Sequence, residues 1–219
     1  MNFRFPVFLD VTGKRCLVIG AGYEVAGKVK SLIDAGAETL YINPTAAPEI
    51  EHWAAMDLVV WKPRAFEPTD LDGCLLVITD HPDNSEIFRL AEERGILCNS
   101  VDDPEHCRFS FGSVHRQGDL NIAISTNGWA PALAVRLRQQ LEREIGPEYG
   151  ALLALLKEAR PTITARISDF ARRRDLWYRI VDSSVLAKLR EGREQAAADQ
   201  VRQLIEEAIH ASTSTDPAN

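Results

Sequence analysis

Short apolar runs and helical patterns alternate through the first hundred residues. Apolar, β-rich segments at 15–19, 39–43, 58–62, 75–79 and 97–101 are bounded by turn-forming or charged residues, which predicts five strands. Between them the spacing predicts a helix from Tyr23 to Asp34, ended by a left-handed cap at Gly36, and another from Asn84 to Arg94, stopping at Gly95. Strands that alternate with helices build a parallel sheet covered on both faces, so the first part reads as an α/β, Rossmann-type domain.

Past Asp102 the rhythm changes. Two β-like runs, Phe109 to His115 and Leu120 to Thr126, flank Gln117-Gly118-Asp119 and predict a hairpin. A helix then starts at Pro131, with Leu133, Leu137 and Leu141 on one face, a stripe that needs a covering surface. From Tyr149 to about His210 the pattern is helical and highly charged, with breaks expected at Pro161 and Gly192 and a disordered tail STSTDPAN. The expected division is a dinucleotide-binding domain over 1–111, a small α+β segment over 112–148 and a helical domain over 149–219.

Composition narrows the function classes. A hydrophobic content of 45 % over 219 residues is enough for a core. A net charge of −7 argues against nucleic-acid binding, which needs a concentrated basic face. No apolar run approaches the roughly 18 residues of a membrane span, and MNFRFPVFLD does not read as a signal peptide. A cytoplasmic protein without a membrane partner is therefore expected. Cys16, Cys74, Cys98 and Cys107 form no CxxC pair and read as reduced, structural thiols.

The segment CLVIGAGYEVAGK sets a strand before Gly20-Ala21-Gly22 and a helix after it, the context of a dinucleotide turn. Gly20 permits the tight turn, Gly22 lets backbone approach a pyrophosphate, and the helix N-terminus supplies free N–H groups. The strict fingerprint count falls on Val25, with the small Ala26 one residue further, which reads as a one-residue insertion. Candidate cofactor contacts are Gly20, Ala21, Gly22, Tyr23, Glu24 and Val25, then Asn43 after the second strand, and Thr79 and Asp80 at the end of the fourth. Asn43 can bond a ribose but carries no charge toward a 2′-phosphate, and NAD is preferred over NADP.

PVFLDVTGKRCLVIGAG, TDHPDNSEIFRLAEERGILCNSVDDPEHCRF and GDLNIAISTNGWAPALAVRLRQQLE, in that order, closely resemble the dehydrogenase and chelatase part of the siroheme synthase family, which includes the stand-alone precorrin-2 dehydrogenases. Weaker similarity continues at ARRRDLWYRIVDSSVLAKLREG. The resemblance implies NAD-dependent oxidation of precorrin-2 to sirohydrochlorin, followed in some members by ferrous iron insertion, a lyase activity. It also implies a homodimer that interlocks through its middle segment, so 112–148 is the expected dimerisation segment. The methyltransferase domain fused to some members is not expected, and precorrin-2 would come from another protein. The alternatives are a chelatase without dehydrogenase activity and a dinucleotide- or tetrapyrrole-sensing dimer without turnover.

The family's acid lies in an Asn-x-Val-Asp stretch matched by Asn99-Ser100-Val101-Asp102. Asp102 is thus the candidate catalytic residue, at the strand end where open α/β sheets bind ligands. A turn-capping role is the structural alternative. His106 and Cys107 lack a second ligand pair at suitable spacing, so no resident metal is expected. The implied substrate carries many carboxylates, for which Arg108, Arg116, Arg136 and Arg138, with Asn127, are the candidate ligands. Two departures stand out: Thr126-Asn127-Gly128-Trp129-Ala130-Pro131 replaces the family's Thr-Gly-Gly-Lys/Thr-Ser-Pro, and Gly112 stands where a proline is usual.

Overall fold

The computed structural model describes residues 5–213. The chain divides into two compact units, Met1–Phe111 and Gly112–Asn219.

The first unit is a parallel sheet of β1 (Arg15–Gly20), β2 (Glu38–Ile42), β3 (Val60–Lys62), β4 (Leu76–Asp80) and β5 (Leu97–Ser100), in the order β3-β2-β1-β4-β5. Its helices are α1 (Tyr23–Asp34), α2 (Pro48–Ala55) and α3 (Asn84–Glu93). Side chains alternate across the pleat. Cys16, Val18, Tyr41 and Ile78 therefore pack with Val25, Val29 and Leu32 of α1, while Leu17, Ile19, Leu40 and Val77 pack with Ile87, Leu90 and Ala91 of α3. The chain leaves β1 toward β2 and β3, then returns past β1 to β4, so the order reverses between β1 and β4. Open α/β sheets bind ligands outside the carboxyl ends of strands at such a reversal.

Helix ends follow the glycines. Beyond α1, Gly36 takes φ 75° and its N–H donates to the Ile33 carbonyl; beyond α3, Gly95 takes φ 69°. The third strand begins at Val60 rather than at Leu58, because Asp57 turns at φ 57° and the Leu58 N–H closes the end of α2 on the Trp53 carbonyl.

In the second unit β6 (Ser113–Gln117) and β7 (Leu120–Ile124) form the antiparallel hairpin, followed by α4 (Pro131–Glu144). The first of these strands starts four residues later than the run Phe109 to His115 suggested. Phe109 and Phe111 belong to the first unit, where the rings pack edge to face and the Asn99 amide donates to the Phe109 carbonyl at 2.8 Å. A Cβ at Gly112 would stand 2.9 Å from the Ile124 carbonyl oxygen, which explains a residue without a side chain there. Four further helices, α5 (Pro147–Arg166), α6 (Phe170–Val181), α7 (Val185–Arg190) and α8 (Glu194–Thr213), close on a core that includes Leu152, Ile163, Leu176, Ile180, Val201 and Ile205.

The expected break at Pro161 does not occur, since α5 runs through it. The proline ring is exposed, while Leu152 and Ile163, on either side of it, are buried in one core that holds both halves in line. The remainder of the tail expected to be disordered, 214–219, lies outside the described residues. Among the described residues no helix is long and apolar enough to cross a membrane.

Candidate active site at the carboxyl edge of the sheet

The tips of β1, β4 and β5 lie side by side, with Gly20 opposite Asp80 and Thr79 opposite Ser100. Gly20 takes φ 117°, and a Cβ built on it would overlap the Asp80 carbonyl oxygen. Only glycine lets the two strand ends approach so closely. Gly22 takes φ 99°, and the space its Cβ would fill is open, the kind of cradle that backbone presents to a phosphate. The first helical bond of α1 runs from the Ala26 N–H to the Gly22 carbonyl at 3.2 Å. The N–H groups of Tyr23, Glu24 and Val25 precede that bond and point out of the helix end with its partial positive charge.

The predicted cofactor residues divide by what they expose. Ala21, Gly22, Tyr23 and Glu24 are exposed at the turn, and Asp80 at the tip of β4. Val25 is buried against the sheet, leaving only its backbone to face a ligand. Thr79 is also buried, and its hydroxyl donates to Asn84 Oδ1 at 2.9 Å; that oxygen also accepts from the His81 N–H. Its role is therefore to hold the start of α3. The Asn43 amide donates to the Thr45 carbonyl at 2.6 Å, which leaves its oxygen for a ribose hydroxyl.

Sequence reasoning missed Tyr41. Its ring is buried in the sheet, and its hydroxyl donates to the Gly20 carbonyl at 2.8 Å, with the Thr45 carbonyl at 3.2 Å. Burial pushes the phenol up, so it stays a donor. One side chain thus ties the glycine turn to the loop carrying Asn43. The signal for it, a tyrosine in an otherwise aliphatic strand, is legible only once β1 and β2 are paired.

Asp102 stands beyond β5 in the left-handed region, at φ 55°, with its side chain exposed. It is Asp103, not Asp102, that makes the local polar contact, to His106 Nδ1 at 2.6 Å. The His106 ring also meets the edge of Phe88. Cys107 is fixed by the Ser100 N–H at 3.2 Å. Turn-capping therefore falls to the neighbours, and the carboxylate of Asp102 makes no hydrogen bond or ion pair with a described residue. Among the described residues no group of three His, Cys, Asp or Glu side chains is placed to hold a metal.

The candidate substrate ligands fall on both units. On the first, Arg108 pairs with Glu92 and lies over the Phe88 ring, which commits its guanidinium to the protein. On the second, Arg138 pairs with Glu142. Arg136 makes one bond to Gln139 at 3.1 Å, and Arg116 is exposed on β6. Asn127 turns at φ 52° before Gly128, and the Thr126 hydroxyl accepts from the Ala130 N–H at the start of α4. Trp129 is 90 % exposed, so the departure from the family's sequence puts a large apolar ring where the chain meets solvent. Leu133 and Leu137, two of the three leucines on the face that needs covering, are also exposed in the described chain.

Three family models match in succession: "Putative NAD(P)-binding" over 7–113, "Sirohaem biosynthesis protein central" over 117–144 and "Sirohaem synthase dimerisation region" over 148–205. The dimerisation model thus lies on the helices, downstream of 112–148. The siroheme synthase of Thioalkalivibrio sulfidiphilus is 37 % identical over 212 residues, 95 % of this chain and 43 % of that protein. That of Nitrosococcus oceani is 31 % identical over 92 % of this chain and 44 % of its own length. The chain therefore spans less than half the length of these curated relatives. Among solved structures, that of SirC, precorrin-2 dehydrogenase, superposes with a TM-score of 0.74 at 22 % identity, over 91 % of this chain and 99 % of that one, and it shares the fold. With three models in family order and relatives aligned along nearly its whole length, the chain belongs to the siroheme synthase family, in its N-terminal, dinucleotide-binding part.

Proposed function

We propose that this chain oxidises precorrin-2 to sirohydrochlorin with NAD as the oxidant, acting as a homodimer in the cytoplasm. One observation carries the reading: an open glycine turn and a carboxylate without a protein partner stand at the same edge of one sheet, on either side of β4. The names of the relatives and of the structural neighbour supply the substrate class.

The turn fits a dinucleotide, because the space beside Gly22 is open and the first-turn N–H groups of α1 suit a pyrophosphate. Bound there, NAD supplies the acceptor for a hydride. The chain's own residues do the rest. Gly20 and Gly22 admit the pyrophosphate, the Asn43 oxygen accepts from a ribose hydroxyl, and Tyr41 keeps those two loops in register. The oxidation releases a proton along with the hydride, and an Asp102 carboxylate oxygen receives it. Arg116, Arg136 and Asn127 hold substrate carboxylates; Arg108 and Arg138 are better assigned to their ion pairs. The dimerisation model over 148–205 and the exposed Leu133 and Leu137 support the homodimer.

Anaerobic mixing of the purified chain with enzymatically made precorrin-2 and NAD tests the reading. NADH and the sirohydrochlorin spectrum should rise together; NAD binding without either product rejects it. Ferrous iron added after oxidation tests the further step, in which Asp102 would take pyrrole protons as the metal enters.

A further inference from the structure

Lys28 stands apart from the ion pairs of the first unit. It lies on α1, half-buried, and its ammonium makes no hydrogen bond or ion pair with a described residue. Two residues on, Lys30 shows the ordinary outcome, a pair with Asp34 on the exposed side of the helix. Lys28 instead sits over the Phe111 ring, its Nζ 3.9 Å from the ring centre. Loss of water pushes this amine below its ordinary value, and the charge of Glu24, one turn back, only partly restores it. An ammonium that has given up water and gained only a ring face has capacity left for an anion.

Its position places that capacity near the carboxyl edge of the sheet. Helix α1 begins at that edge, directly after the glycine turn, and helical side chains lean toward the N-terminus of their helix. The Lys28 stem therefore runs back toward the turn. The platform under it is held from the other flank: Phe111 packs edge to face on Phe109 with 5.5 Å between ring centres, and the Phe109 carbonyl accepts from the Asn99 amide of β5 at 2.8 Å. Asp102 follows that same strand. The ammonium is thus fixed between the helix that carries the glycine turn and the strand that leads to the candidate proton acceptor. The Phe111 ring is 43 % exposed, so a ligand can reach the pair. Arg108, the arginine first expected to serve a substrate on this unit, is committed to Glu92 and Phe88, whereas Lys28 is not committed.

We propose that Lys28 is a further specificity-determining residue of the first unit: its ammonium, fixed by Phe111, takes one carboxylate of the substrate. The identity of that substrate rests on the dehydrogenase reading. Lys28→Met tests the assignment, because it removes the charge and keeps an unbranched apolar stem over the ring. With precorrin-2 and NAD under anaerobic conditions, KM for precorrin-2 should rise about tenfold while kcat stays within about twofold, and NAD affinity and melting temperature should be unchanged. Lys28→Arg, which keeps the charge, should recover most of the loss. The proposal is overturned if KM is unaltered in Lys28→Met, if NAD affinity falls in its place, which would assign the ammonium to the pyrophosphate, or if Lys28→Arg recovers nothing. Should the unaltered chain form no NADH, the dehydrogenase reading fails by itself, and titration of both proteins with precorrin-2 alone, followed by absorbance, decides the role of Lys28: about tenfold weaker binding by Lys28→Met upholds it and equal binding overturns it.

Discussion

At the scale of single residues, the glycine turn is held from two sides. Gly20 can approach Asp80 only without a Cβ, and Tyr41 bonds the Gly20 carbonyl from below. Gly20→Ala forces the β1 and β4 tips apart and adds strain at a positive φ. It should lower stability by at least about 1 kcal/mol and abolish NAD binding, as read by thermal melting and calorimetric titration. Tyr41→Phe keeps the ring and removes one hydrogen bond. It should cost about 1 kcal/mol and reduce NAD affinity several-fold, whereas unchanged NAD affinity would show that the hydroxyl does not set the turn. A third residue governs acid stability. Burial pushes the Asp70 carboxyl up, but two bonds from Arg64, at 2.8 and 2.6 Å, and the Glu67 N–H at 2.9 Å outweigh it and hold the carboxyl below its ordinary value. Its stabilisation is then full above the unfolded value of about 3.9 and lost as pH falls through the lower folded value. Asp70→Asn should cost about 2 to 3 kcal/mol near neutrality, and the difference from the unaltered protein should shrink on acidification.

At the scale of elements, periodicity made the first unit legible. All five strands and the exact span of α1 follow from short apolar runs and from Gly36, because strand alternation and a left-handed cap are local properties. The turn Gly20 to Val25 was legible for the same reason. What local pattern did not reveal depends on pairing and packing: the burial of Thr79, the hydroxyl of Tyr41 and the pairing of Arg108, in the loop beyond β5, with Glu92 of α3 each need separate elements brought together. Pro161 shows the converse, a local helix breaker overruled by the core around Leu152 and Ile163. Its ring removes one helical hydrogen bond on an exposed face. Pro161→Ala should therefore stabilise the helical unit, by about 1 to 3 kcal/mol, measured by chemical denaturation. A loss of stability would mean that the proline sets a bend the core requires.

At the scale of the whole molecule, the chain joins a dinucleotide-type unit to a helical unit whose apolar surface is incompletely covered in the described residues. Leu137 lies 40 % exposed on α4 and Trp129 lies 90 % exposed just before it. Leu137→Asp places a charge on this surface and should shift the protein from dimer to monomer in sedimentation while its helix content stays the same. A monomeric starting protein would remove the proposed homodimer. The central claim, that the exposed carboxylate beyond β5 takes the substrate's proton beside the glycine turn, is tested most directly by single-turnover oxidation of precorrin-2 with NAD in the unaltered chain and in Asp102→Asn. The asparagine is close in size and tolerates the same left-handed backbone, so NAD affinity and melting temperature should be unchanged, while NADH formation slows by about a hundredfold or more. NADH formed at the unaltered rate by the Asp102→Asn protein would contradict the account.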